Sequence, residues 1–322
     1  MKPRHLALAL LVAVLWGVNF LAIRASLEQF PPFLLVAMRF AIIAIPALVL
    51  VPRPSVPWRW LIGYGLSFGT IQFAFLYWGM DAGFPTGLSS LVLQASAPFT
   101  VVLGAVLLRE RIGVRRMIGV GVATAGLTLV GISYGETAPL LPFVLVLIGA
   151  LGWAGGNLAS RLAKAPNPLH LVLWMSVVPP LPMFALSLVF EGPARIGESL
   201  ATSLSADAVP AWMGLAYTVV LGTLVGSGVW IWLMSRYPAS TVAPFSMLVP
   251  VIGIATAALA LDERPTLFQL MGGAVVILGV LWSSRTTRHR DAATVRTVAS
   301  PDSPHHPASG RPAPASQAAL GS

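Results

Sequence analysis

Ten apolar runs, each long enough to cross a bilayer, follow one another along the first 284 residues of this 322-residue chain. They fall at about 5–24, 32–52, 58–80, 84–108, 114–132, 140–160, 168–190, 209–234, 239–261 and 266–284. Crossing roughly 30 Å of hydrocarbon takes about 20 residues of helix. Backbone amides find no water in lipid, so only helices and closed barrels are stable there. None of the runs shows the period-two alternation of a barrel strand. The chain therefore reads as an all-α integral membrane protein. Its composition agrees: 10% of residues are charged, against roughly 25% in a water-soluble domain.

The gaps between runs carry turn residues and charge, as in Gln29-Phe30-Pro31-Pro32, Pro52-Arg53-Pro54 and Gly135-Glu136. With the N-terminus in the cytoplasm and sides alternating, Lys2, Arg4, Arg53, Arg59, Arg109, Arg111, Arg115, Arg116, Arg161, Lys164 and Arg236 face the cytoplasm. The opposite side then holds Arg24, Arg195 and Arg264 as its basic residues. It also takes eight of the eleven carboxylates: Glu28, Asp81, Glu136, Glu191, Glu198, Asp207, Asp262 and Glu263. Lysine and arginine are retained on the cytoplasmic side, so both termini are expected inside. A net charge of +9 spread over short loops suits the headgroups of membrane lipid rather than nucleic acid.

Lys2 and Arg4 ahead of an apolar run also fit a cleaved leader. Trp16 and Asn19 inside that run, and a similar segment in mid-chain, favour a retained helix. Residues 285–322 turn to Arg, His, Pro, Ser, Thr and Ala without an apolar period. They read as a disordered cytoplasmic tail, too poor in apolar surface to fold.

Compared with itself, the chain repeats. Leu15-Trp16-Gly17-Val18-Asn19 is echoed by Gly152-Trp153-Ala154-Gly155-Gly156-Asn157, with one extra residue before the asparagine. A shift of 153 positions superimposes Glu110-Arg111 on Glu263-Arg264, Gly119 on Gly272 and Gly126 on Gly279. Pro98 and Pro250 each sit a little over three turns before their Glu-Arg pair. The expected organisation is ten transmembrane helices: a first five-helix unit over 1–135, a second over 136–284, then the tail. Five is odd, so the second unit enters from the opposite face. Inverted repeats of this kind are a transporter architecture, with the substrate site near the midplane where the repeats meet.

These residues resemble the EamA family of the drug/metabolite transporter superfamily over nearly all of 5–284. The resemblance is carried by Leu15-Trp16-Gly17-Val18-Asn19-Phe20, Met38-Arg39-Phe40, and the two Glu-Arg ends followed by Gly-rich helices. Gln72-Phe73-Ala74-Phe75-Leu76, Gly87-Leu88-Ser89-Ser90-Leu91-Val92-Leu93-Gln94-Ala95, and Leu248-Val249-Pro250-Val251 running into Leu261-Asp262-Glu263-Arg264 are similar to its branch that exports O-acetylserine and cysteine. The resemblance implies an exporter in the cell inner membrane whose partner is a small polar amino acid or derivative.

Polar side chains inside lipid-spanning helices are costly and turn to a cavity or a neighbouring helix. Asn19, Arg39, Gln72, Gln94 and Asn157 lie well inside their runs. Asn19 stands one turn from Trp16 and Asn157 one turn from Trp153, so each pair shares a helix face. A tryptophan beside an amide suits a zwitterion, the ring covering apolar atoms and the amide bonding polar ones. Buried amides also hold helices together, and both readings stand. Arg39 is the basic residue deep in a run. It is always charged, so it meets a substrate carboxylate, an internal partner or a path to one face. Pro98, Pro244 and Pro250 free the carbonyls of Gln94, Ser240 and Ser246, which either receive an ammonium or only bend the helix. The candidate substrate-binding set is Trp16, Asn19, Arg39, Gln72, Gln94, Trp153, Asn157 and Ser246.

Catalysis is not expected. His5, His170, His289, His305 and His306 sit at run ends or in the tail, the carboxylates lie at boundaries, and there is no cysteine. No nucleophile–base pair or metal set assembles from these, and no cofactor is implied. Lysine is missing from the runs, which disfavours dianionic cargo. No carboxylate is deep enough to couple protons, Glu28 and Asp81 being the nearest. The exact cargo, the coupling ion and the oligomeric state are not encoded in any motif found.

Overall fold

The computed structural model describes residues 1–284, and among them every regular element is a helix. The helical stretches are α1 (Pro3–Leu27), α2 (Pro32–Leu50), α3 (58–81), α4 (Thr86–Leu108) and α5 (Val114–Gly135). After them come α6 (Leu141–Ala163), α7 (Pro168–Thr202), α8 (Ala206–Arg236), α9 (239–261) and α10 (Leu267–Ser284). Eight contain a stretch long and apolar enough to cross a membrane: α1, α2, α4, α5, α6, α7, α8 and Ala243–Leu261 of α9. The apolar part of α10 is shorter, and Ser67, Thr70, Gln72 and four glycines dilute α3. The expected tail lies outside the described residues.

Local chemistry sets the helix ends. Pro3, Pro32 and Pro168 stand in first turns, where an amide hydrogen has no partner and a fixed φ helps. Asn167 caps α7, its Oδ1 accepting from Leu169 N at 3.0 Å. Arg109 and Asp262, 153 positions apart, end α4 and α9 in the left-handed conformation at φ 53° and 54°. Each turns the chain sharply just before a Glu-Arg pair.

Two features depart from straight apolar rods. α7 breaks at 176–179, ahead of the amide-less Pro179 and Pro180, and then runs beyond the apolar stretch to Thr202. Its last segment, Gly192–Thr202, is amphipathic, burying Ile196 and Ser199. The second departure is a wide π-helical stretch in each of α3 and α8, at Gly65–Gln72 and Thr218–Val225, again 153 apart. Shorter 3₁₀ segments fall at Leu93–Ala95 in α4 and Ala243–Met247 in α9, beside the prolines.

Packing follows the same pattern twice. α1 lies against α8 and α9, while α6 lies against α3 and α4; α2 packs on α7, and α5 on α10. Small residues decide the last of these, since lipid provides no hydrophobic drive between helices and close backbone approach replaces it. A Cβ on Gly126 would lie 2.7 Å from the Gly272 oxygen, and one on Gly279 2.8 Å from the Gly119 oxygen. The pairs Gly119–Gly279 and Gly126–Gly272 run antiparallel. Moving each residue to its counterpart 153 positions away exchanges one pair for the other.

Candidate substrate site

Polar side chains from three helices converge on the wide turn of α8. From α1, Trp16 donates Nε1–H to the Gly222 oxygen at 2.9 Å and leans on Trp230 with ring centroids 5.1 Å apart. Asn19, 9% exposed, sits one turn further along against Gly222. A Cβ there would come 2.6 Å from Asn19 Oδ1, so only glycine admits the amide. From α2, Arg39 is 5% exposed. It donates to Tyr77 Oη of α3 at 2.8 Å and to Thr223 Oγ1 of α8 at 2.9 Å. Its guanidinium lies 4.1 Å from the Phe73 ring centroid.

The electrostatics single out Arg39. An arginine in the middle of a membrane helix costs roughly 3 kcal/mol to insert. Two neutral hydroxyls and an aromatic face offset part of that, but no carboxylate pairs with it among the described residues. Arg39 Nε, Asn19 Oδ1, Thr218 Oγ1 and Gln72 Oε1 are buried without a hydrogen-bond partner in the chain. Each such atom costs about 1–3 kcal/mol if left so, and buried polar groups in proteins are normally satisfied. The first three gather on the wide turn of α8, and Gln72 ends the equivalent turn of α3. Wide turns of this type are frequent at functional sites because they disturb the regular backbone pairing. A buried cation surrounded by unmatched donors and acceptors is suited to a small anionic or zwitterionic guest.

The other candidate residues make separate contacts. Gln94 of α4 reaches Met247 Sδ of α9 at 3.5 Å, and Asn157 of α6 donates to Thr100 Oγ1 of α4 at 3.1 Å. Ser246 donates to its own helix at Ala243 O, 2.7 Å away, so its hydroxyl is spent locally. Trp153 meets Phe68 edge-on at 6.0 Å. The Gln72 backbone touches α6 closely, a Cβ on Gly152 lying 2.7 Å from its nitrogen.

The sequence profile of the EamA-like transporter family matches this chain twice, over residues 4–132 and 140–285. The chain belongs to the EamA-like transporter family. It is a multi-pass protein of the cell inner membrane, with eight helices among the described residues long and apolar enough to cross it. Among relatives of this transporter, the "Probable amino-acid metabolite efflux pump" of Escherichia coli (strain K12) is 40% identical over 301 residues, 92% of this chain and 99% of that one. A protein of the same description from Salmonella typhimurium is 40% identical over 279 residues, 85% of this chain and 92% of that one. The "Probable terminal-alkyne amino-acid exporter" of Streptantibioticus cattleyicolor is 27% identical, with 88% and 95% of the two chains covered. A crystal structure of a protein 20% identical superimposes with a TM-score of 0.57, covering 88% of this chain and 97% of that one. That likeness speaks to the fold.

Within this EamA-like transporter, several carboxylates near the helix ends are engaged. Glu28 pairs with Arg24 at 3.0 Å and Asp81 with Arg195 at 3.6 Å. Arg264 pairs with Asp262 at 2.9 Å. The three arginines assigned to the outer side by alternation therefore each have an acidic partner. A pocket of about 420 Å³, lined by Tyr134, Thr137, Glu263, Arg264, Thr266 and Gln269, opens at the ends of α5, α9 and α10, away from Arg39. Sequence reasoning missed Tyr77, Thr218 and Thr223. The two threonines inside an apolar run were a visible signal, but their closeness to Arg39 depends on how α8 meets α2.

Proposed function

We propose that this protein exports small polar amino-acid metabolites, of the O-acetylserine and cysteine kind, by alternating access. In this reading all ten helices cross the membrane as two inverted units, 1–135 and 136–284, with both ends in the cytoplasm. The two profile matches, the recurrences at 153 positions and the self-complementary packing of α5 on α10 support that arrangement. The 40% identical relatives, described as probable amino-acid metabolite efflux pumps, support the cargo class.

One observation carries the site: Arg39 is a buried cation without an anionic partner among the described residues. An amino acid brings a carboxylate to complement the guanidinium. Asn19 and Gln72 offer oxygens to its ammonium, and Trp16 gives an apolar wall. Gln94, Asn157, Trp153 and Ser246, from α4, α6 and α9, line the second half of the path. Binding is weak, on the order of millimolar, because a carrier must release what it takes. No chemical step is involved, so the protein works as a carrier and not as an enzyme.

The test is excretion. Cells overproducing the protein should raise external cysteine or O-acetylserine, and Arg39→Ala that reaches the membrane should abolish most of that rise. Counterflow and saturation in vesicles separate a carrier from a passive channel. Overproducing cells that excrete neither metabolite yet survive an amphipathic drug would move the protein to the multidrug branch of the superfamily.

A further inference from the structure

The two Glu-Arg ends do unlike things in this structure, although they are equivalent in sequence. After α9, the Glu263 carboxylate accepts the Thr86 amide at 2.7 Å with Oε1 and the Gly87 amide at 2.8 Å with Oε2. It thereby closes the start of α4, where orphan amides and the helix dipole favour a negative charge. Gly87 lets α9 come close at this point: a Cβ there would lie 3.0 Å from Ile254 Cα, while Glu263 Oε2 would be at contact distance, 3.4 Å. The counterpart Glu110, after α4, is held by both terminal nitrogens of Arg161, at the end of α6.

The target that Glu263 takes on α4 also has a counterpart. Phe84-Pro85-Thr86-Gly87 shifted by 153 positions falls on Tyr237-Pro238-Ala239-Ser240, which opens α9. The coverage of the two helix starts differs in the same sense as the two glutamates. Every residue from Leu88 to Ala95 is buried; of their counterparts Val242 is buried too, whereas Thr241 and Pro244 are exposed and Ala243 and Phe245–Leu248 are half-buried. The first turns of α4 are capped and buried. Those of α9 are partly open from Thr241 onward, and Glu110 is bound to Arg161.

We propose that Glu263 and Glu110 are reciprocal gate latches: Glu263 caps α4 and closes the outer gate, and on reversal Glu110 leaves Arg161 to cap α9 at Ala239–Ser240 and close the inner one. This rests on the inverted topology and alternating access proposed above. It adds which bonds exchange when the carrier switches. An inverted repeat makes the exchange near-balanced, because each state is built from the same cap formed at the opposite end. The Glu110–Arg161 pair in the present state is exposed, and exposed pairs contribute little, so each state is decided mainly by which cap is made.

The chain has no cysteine, so a single introduced thiol reports the outer gate. Ser90 is 1% exposed, in the first turns of α4 behind Glu263. In Ser90→Cys cells, a membrane-impermeant thiol reagent is added outside. Glu263→Gln should raise the labelling rate about tenfold or more, because one carboxylate oxygen becomes a neutral carbonyl and the other an NH2 that cannot accept an amide hydrogen. Glu110→Gln should lower it, because the outward-open state loses its cap, and the double variant should return toward the parent. A purely structural role for either glutamate would not produce opposite signs. If Ser90→Cys spoils assembly, Ser89→Cys, also buried, gives the same readout. Equal rates in all variants present at the membrane, or changes of the same sign, overturn the latch. Excretion measured on the same cells tests the cargo separately. Amino-acid export with unchanged labelling removes the latch alone, while opposed labelling without amino-acid export keeps the latch and removes the cargo.

Discussion

The junction of α1 with α8 and the junction of α6 with α3 are built to one plan and used for different chemistry. In both, a helix bearing a tryptophan, Trp16 or Trp153, lies against a helix widened into a π-helical stretch, Thr218–Val225 or Gly65–Gln72. At the first, the widened turn receives a hydrogen bond from Trp16, the amide of Asn19 and the guanidinium of Arg39. At the second, Gly149 and Gly152 bring α6 onto the α3 backbone, where Cβ atoms would lie 3.0 Å from Gln72 O and 2.7 Å from Gln72 N. Trp153 there meets the Phe68 ring edge-on. The shared geometry exposes backbone and makes room. Whether that room becomes a polar site or a close backbone contact is decided by a few side chains.

The largest expected effect tests whether the polar junction is the working one. Arg39→Lys keeps the charge but loses the forked donors that reach Tyr77 and Thr223 and the stacking on Phe73. Export should fall by about tenfold or more, the consequence of losing about 1.4 kcal/mol, with the protein still in the membrane. Wild-type export by Arg39→Lys would remove the distinction between the junctions.

Alanine at the equivalent contacts should separate stability from transport. Gly152→Ala drives a Cβ against the Gln72 nitrogen and the Ser67 oxygen, 2.7 and 2.9 Å away, both backbone atoms that cannot step aside. Overpacking of that kind costs about 1–3 kcal/mol, read as a lower midpoint of thermal unfolding in detergent. Gly222→Ala meets the Asn19 side chain instead, which can rotate away, so stability should fall less and export more. The reverse order would show that the first junction is the structural one.

Trp16→Phe should have a smaller effect again. It deletes one hydrogen bond, to Gly222 O, and such bonds average about 0.6 kcal/mol in membranes. Trp153→Phe should cost less, measured in the same unfolding assay. Equal losses would mean that both rings act through packing alone.

The smallest effect concerns the exposed Glu110. The hydrogen bond from Arg161 holds its carboxyl below the usual carboxylate range. A lowered folded-state pKa contributes stability that is present above the ordinary value and lost as pH falls through the lowered one. Arg161→Gln removes that contribution. The small difference in unfolding midpoint between parent and variant should therefore be present at neutral pH and vanish in acid. A difference that persists in acid would assign it to packing of the Arg161 stem.

Much of the helical layout was legible because lipid imposes one rule on every residue: the backbone must satisfy itself. Apolar length therefore translates directly into helix, and Glu110-Arg111 and Glu263-Arg264 both follow helix ends as their spacing suggested. α7 shows the boundary of that reasoning. Its final segment is amphipathic, held by Gln29 of the α1–α2 connection donating to Ser199 O at 2.6 Å, and apolar length says nothing of it. Within the candidate site, polarity in an apolar run marked Asn19, Arg39 and Gln72. Ser246 was marked instead by the carbonyl that Pro250 frees, and its hydroxyl turns back to its own helix.

By itself, the sequence determined the helical, multi-pass character and the family, since hydropathy, charge placement and recurring motifs are additive along the chain. Tertiary structure alone decided which polar groups meet. Arg39, Tyr77 and Thr223 are separated by up to 184 positions, and the wide turn of α8 that gathers them has no residue signature of its own. The same holds for Glu263, whose two amide partners lie 177 and 176 positions away. A carboxylate at a helix end looks alike in sequence whether it caps another helix or pairs with an arginine. The direction in which each helix faces its neighbours separates the two, and that is a property of the packed bundle.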